Sequence, residues 1–451
     1  METTAPAQPT LRILLALAWP IVISRASQTV IGLSDTLLVA HLGASALAAT
    51  ATGALNAFTV LILPMGMTFI VSSFAAQLFG RGDVAGARRY GWYGLVVALC
   101  AQVACAAAWP FIDSALGTLS YSGEVRDLMA GYLRVRLIGG GAAIGIEALA
   151  NYYGGLGRTR PGMVVNIIAM VLNVVCNWLL IDGNLGLPAL GVVGSALAST
   201  IATTVAFIGF FIFFFSEGRP EARATFRWPE FLRMLRFGVP SGVNWLFEFG
   251  AFMFFANVVV AGLGTATLAA MNSVLSLNSA SFMPAFGIAS AGAILVGQAI
   301  GANQKDDVPR VVKLAVGTAA AWQGFAGLLC LVIPHVLIAP FARGEGGEEV
   351  AIIGARILMM SAAWQVFDAT SMCLAEALRG AGDTFFTMVA RVGVAWVLFV
   401  PGSYISVRVY GWTDIGAMGW MVAYLAVLAG VLLLRFRTGA WRRMELVEPT
   451  V

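Results

Sequence analysis

Apolar stretches of about twenty residues, each long enough to cross a hydrocarbon core of roughly 30 Å, recur in this chain from Leu11 nearly to its C-terminus. Only 11% of the residues are charged and 59% are hydrophobic, whereas a soluble domain carries roughly a quarter charged residues. Such a chain cannot cover itself in water, so lipid is its solvent and the long apolar runs are expected to be helices. Setting those runs against Gly, Pro and charged breaks gives about twelve spans, near 11–38, 47–78, 90–112, 127–153, 161–182, 190–216, 231–261, 267–299, 311–341, 349–378, 385–408 and 413–436.

The formal net charge of +4 does not point to nucleic acid, because the basic residues lie between apolar segments rather than on one stripe. The five cysteines sit inside apolar segments without a C-x-x-C pair and read as small core hydrophobes. The first ten residues, METTAPAQPT, lack the charged start and cleavage site of a signal peptide, so the first apolar segment is expected to stay as a helix. No soluble catalytic domain is expected at either end. His41 and His335 are the two histidines, too few for a histidine-based metal or acid–base site.

Alternate loops differ in Lys and Arg. One set carries Arg81, Arg88 and Arg89; Arg158 and Arg160; Arg219, Arg223, Arg227, Arg233 and Arg236; Lys305, Arg310 and Lys313; Arg379; and Arg435, Arg437, Arg442 and Arg443. The other set holds few, among them Arg126, Arg343 and Arg408. The positive-inside bias places both termini and the 217–236 connection in the cytoplasm.

The two halves of the chain repeat. Gly66, Gln77 and Gly80 recur as Gly287, Gln298 and Gly301, 221 positions on, and LGASALAA from Leu42 recurs as LGTATLAA from Leu263 at the same displacement. Pro20 pairs with Pro240 at 220, and GLGRT from Gly155 with GAGDT from Gly380 at 225. Six spans per half give repeats of like orientation, hence two pseudo-symmetric lobes, 1–216 and 237–451, joined by a linker at 217–236 and enclosing a central cavity. Like lobes about a cavity are the architecture of alternating access.

The segments LAWPIVISRASQTVIGLSDTLLVAHLGASALAA, AQLFGRGD, LNVVCNWLLI, FGVPSGVNWLFEFGAF and WQVFDATSMCLAEALRGAGDT together resemble the multidrug and toxic compound extrusion (MATE) family, over nearly the whole chain. Within it the likeness is to the NorM-like branch, which implies cation-coupling acids at Asp35, Glu248 and Asp368. The DinF-like branch has an asparagine and an aspartate four apart in the fifth span; here both positions are asparagine, Asn173 and Asn177. Trp364 stands where the NorM-like pattern has tyrosine, which removes a phenolic oxygen from the implied ion site.

The residues carry an argument of their own. An intramembrane carboxyl costs several kcal/mol unless paired, protonated or wet, and is a functional candidate for that reason. Glu248 lies mid-span; its repeat mate is Gln28 or Ser27, that of Asp368 is Ala143 and that of Asp35 is Phe255 or Ala256, so the scaffold needs no acid at these positions. Asn244 and Trp245 share a helix face with Glu248, and Trp364 and Ser371 share one with Asp368. Carboxylates among amides and hydroxyls can hold sodium through oxygen, or bind a proton, and tryptophan faces suit an organic cation. The structural alternative is that an acid pairs with Arg25 or Arg391 and ties helices together; for Asp35 it is a helix-end contact beside His41. Arg25 is expected to partner a first-lobe acid or carbonyl, and Glu147 divides evenly between function and pairing. Asn173 and Asn177, and Asn272, Ser276 and Ser279, are polar stripes that either line a substrate cavity or join helices.

These readings converge on a multi-pass inner-membrane transporter, functional as a monomer and without a cofactor. It would exchange small organic, often cationic compounds for Na+ or H+, with Glu248 and Asp368 as ligands if the ion is sodium. A lipid-linked saccharide flippase of the same fold is the nearest alternative. A channel would need a matched polar ring, and an intramembrane enzyme a paired catalytic constellation; neither pattern is present in the sequence.

Overall fold

The computed structural model describes residues 10–118, 121–217, 226–342 and 346–447. Arg219, Arg223 and Arg343, used above to orient the chain, lie outside the described residues.

Among the described residues every regular element is helical. The first half comprises α1 (Leu11–Val39), α2 (Ala44–Gly80), α3 (Val84–Ala108), α4 (Ile112–Gly117), α5 (Gly123–Ile138), α6 (Gly140–Gly155), α7 (Arg160–Ile181) and α8 (Gly191–Ser216). The second comprises α9 (Trp228–Phe254), α10 (Thr265–Gly301), α11 (Val308–Val332), α12 (Pro334–Ile338), α13 (Gly347–Ala381), α14 (Thr384–Gly393), α15 (Val400–Arg408) and α16 (Asp414–Arg437). Among the described residues eleven helical segments are each long and apolar enough to cross a membrane. The expected span at 127–153 is made instead by α5 and α6, sixteen residues each, which meet at Gly139. Close approach explains the small residues there: a Cβ on Gly140 would come within 2.8 Å of Cys105 Sγ, and one on Gly141 within 2.6 Å of Gln102 Cβ.

The repeat is as clear in the helices as in the sequence. A shift of 221 carries α2 onto α10, both 37 residues long, and α3 and α11 are both 25 residues long. The halves differ where their helices deform. The fourth span is interrupted at Gly139, whereas its counterpart α13 runs unbroken for 35 residues. Conversely, the second half has π-helical turns at Phe255–Val260 and Val394–Phe399, in its first and fifth spans.

The chain forms two compact units, one of Met1–Val22, Gly80–Gly82 and Val243–Val451, the other of Ile23–Phe79 and Asp83–Gly242. Relative to halves divided at 217–236, the units exchange the N-terminal parts of α1 and α9. Each exchange point falls two residues after a repeat-related proline, Pro20 or Pro240, where a missing N–H lets a helix bend. Gly287 allows α10 to pack closely on the N-terminal part of α1: a Cβ there would come within 2.5 Å of Val22 Cγ2.

Candidate functional site

In the unit containing residues 23–79 and 83–242, Asp35 is 5% exposed and is met from two other helices. Asn173 and Asn177, one turn apart on α7, donate to Asp35 Oδ1 over 2.9 and 2.6 Å, and Ser199 on α8 donates its hydroxyl to Oδ2 over 2.6 Å. Asn173 also donates to Ser199 Oγ and accepts from Ser34 and Asn177. The hydrogen-bond partners of the carboxylate are thus amides and a hydroxyl; Tyr132 stands close enough to feel both Asp35 and Arg136. Asp35 is not a helix-end partner of His41, whose Nε2 lies 2.8 Å from Asp182 instead.

About ten residues earlier on α1, Arg25 meets Glu147 of α6 through two nitrogens, at 3.0 and 2.9 Å. Gln28 accepts from Arg25 and donates to Glu147 and Asn166, and Asn166 donates to Ser24. The first-lobe acid that Arg25 partners is therefore Glu147, and the network joins α1, α6 and α7.

In the other unit, Glu248 on α9 accepts from Arg391 Nη1 of α14 over 2.9 Å. The helix-tying pair considered from the sequence thus forms here as well. Asp368 on α13 accepts from Gln323 of α11 over 3.2 Å and lies within electrostatic reach of both Arg391 and Glu248. Ser371, on the Asp368 face, turns its hydroxyl to the Asp368 backbone carbonyl rather than to the carboxylate. Trp364 and Asn244 are buried. Trp245 packs edge-on against Phe286, with ring centroids 6.2 Å apart. Asn272 and Ser276 lie on an exposed face of α10, the serine bonded to the asparagine carbonyl. Phe255, at the repeat position of Asp35, packs against Phe399 of the fifth span, so the polar cluster of one half is an aromatic contact in the other.

Sequence reasoning missed Ser199 and Gln323. Ser195 and Ser199, one turn apart in their span, were the available signal for the first. A lone glutamine in α11 gave none for the second.

The MatE family profile matches residues 20–179 and 240–405, both halves of the chain. The chain belongs to the MatE family. Members of this family are transporters, not enzymes. Among curated relatives of this MatE protein, the probable multidrug resistance protein NorM of Mesorhizobium japonicum is 28% identical over 97% of this chain and 95% of its own length. The multidrug resistance protein MdtK of Yersinia enterocolitica is 26% identical over 94% of each chain. Among solved structures, a MOP superfamily transporter from Pyrococcus furiosus superposes with a TM-score of 0.88 at 22% identity, over 96% of this chain and 97% of its own. At that identity the match speaks for the fold.

Proposed function

We propose that this MatE transporter exports small organic compounds, many of them cationic, in exchange for a cation moving inward, from the inner membrane, as a monomer with both termini in the cytoplasm. The multidrug resistance names of its relatives support the substrate class. The observation that carries the coupling is the uncharged hydrogen-bonding shell around the buried Asp35 carboxylate.

A carboxylate buried among neutral partners is costly inside a membrane, and a proton or a sodium ion relieves that cost. Among the described residues Asn177 Oδ1 is buried without a hydrogen-bond partner, and so is Ser195 Oγ one turn before Ser199. Side-chain oxygens of this kind suit a hard cation. Turning the Asn177 amide over would exchange its donated hydrogens for a further oxygen ligand. In the other unit Glu248 and Asp368 are two further acids available for coupling, and an ion arriving at Glu248 has to displace Arg391.

Purified protein in liposomes, loaded with ethidium and given a sodium or a proton gradient, tests this reading. We expect one of the gradients to drive ethidium movement, and Asp35→Asn to lower the gradient-driven rate by about tenfold or more while still inserting, since losing an intramembrane charge eases insertion. Indifference of the wild type to both gradients would exclude coupling.

A further inference from the structure

Each compact unit carries an arginine–glutamate pair within its spans, and the two are built differently. Arg25 and Glu147 engage through two nitrogens and two oxygens, Gln28 fills the remaining space, Arg25 lies over the Phe69 ring, and the Glu147 side chain is 4% exposed. Among the described residues Arg391 reaches Glu248 through one nitrogen only and its Nε is buried with no partner, and the Glu248 side chain is 32% exposed. A guanidinium favours two-point attachment to a carboxylate, and an under-satisfied buried ion pair is weakly held. The first pair is a strut. The second is built to come apart.

The surroundings show where the parts would go. Asp368, whose carboxylate accepts only from the Gln323 amide among the described residues, lies within electrostatic reach of Arg391. Asn244 Oδ1, one turn before Glu248, is buried without a hydrogen-bond partner among the described residues, and the Tyr424 phenol lies beside Glu248 and feels Arg391 as well. Trp245, three residues before Glu248 on α9, packs edge-on against Phe286, and aromatic faces attract an organic cation.

We propose that Arg391 is a resident counter-cation, seated on Glu248 in the absence of drug and passed to Asp368 when an organic cation takes its place. This inference rests on the reading of the chain as an exporter of organic cations. Glu376, which also faces Arg391, is neutralised by Arg379; counting Glu248, Asp368 and Arg391, the site carries one net negative charge, and a bound monocation brings it to zero with each acid paired. The exchange therefore selects monovalent organic cations over neutral compounds and dications.

Ethidium, a monocation, is titrated by fluorescence into the purified full-length protein. Because Arg391 competes with ethidium, Arg391→Gln should tighten binding by about fivefold or more, and Asp368→Asn, which removes the second seat, should weaken it by a similar factor. Glu248→Gln should lose binding with either residue at 391. Unchanged or weaker binding by Arg391→Gln, with its melting temperature near that of the wild type, would overturn the exchange. If Arg391→Gln does not fold, Arg391→Lys, which keeps the charge but not the reach, should still tighten binding about twofold, and no gain there overturns it equally. Wild-type export of ethidium is measured alongside. Its absence fells the exporter reading and this inference together, whereas export without the Arg391 effect fells the exchange alone.

Discussion

Asn177 donates to Asp35 over 2.6 Å, joining the fifth span of its unit to the first. The same amide also donates to Asn173, so one side chain engages both Asp35 and Asn173. Replacing it by leucine removes a donor from a buried carboxylate, a change that costs about 1–3 kcal/mol. We expect Asn177→Leu to lower the melting temperature in detergent and to weaken the ion dependence of transport, whereas Asn177→Ser should restore much of the stability. A leucine variant as stable as the wild type would show that Asn177 contributes little to holding Asp35.

Removing one member of the Arg25–Glu147 pair leaves the other charge buried and uncompensated, at a cost of about 3–5 kcal/mol. Glu147→Leu and Arg25→Met should each unfold at clearly lower temperature. The double replacement Arg25→Met with Glu147→Leu should recover most of the loss, because no charge is left without a partner. Thermal unfolding of the four proteins measures the coupling, and additive losses would remove the pair from any structural role.

Glu217, just beyond α8, accepts from Arg158 over 2.7 Å and from Tyr153 over 2.8 Å. Burial pushes its carboxyl up, but hydrogen bonds from Arg158 and Tyr153 and the charges of Arg158 and Arg88 more than offset this and hold it below the usual carboxylate range. A lowered pKa stabilises the fold above the ordinary glutamate range, and that contribution fades as pH falls through the depressed value. With side chains 49% and 30% exposed, the pair is worth no more than about 1 kcal/mol. Glu217→Gln should therefore be slightly less stable at neutral pH and equal to the wild type in strong acid. A difference that persists at low pH would assign the effect to packing.

Single cysteines report the orientation. Introduced at Thr118 or Gly346, they should react with an impermeant maleimide from outside the cell. One at Ala222, a position outside the described residues, should react only after lysis. The reverse pattern would invert the topology.

The scarcity of charge and the recurrence of apolar runs were enough to read a helical membrane protein from the sequence, because a bilayer accepts little else. The 221-residue displacement likewise foretold that α2 and α10 would match in length, since identical spacing of glycines and polar side chains imposes the same helix packing twice. Intramembrane acids were conspicuous for the same reason: each one costs enough that its presence marks a site.

Partnership was not legible. Asp35 and Asn177 are 142 positions apart, and Glu248 and Arg391 are 143 apart. Nothing local distinguishes Arg391, which reaches a carboxylate, from a base that snorkels to the interface. Nor could the sequence tell that Arg25 would find Glu147 rather than Asp35, or that Gln323 would face Asp368. A span's composition and repeat register are properties of the chain itself, and the sequence determined them alone. Which polar side chains share one buried space depends on how far each helix is rotated and where it bends, at Pro20, Gly139 or a π turn. Those rotations are set by packing over many distant residues, so only the tertiary structure decided that Asp35 is shelled by amides while Glu248 holds an arginine.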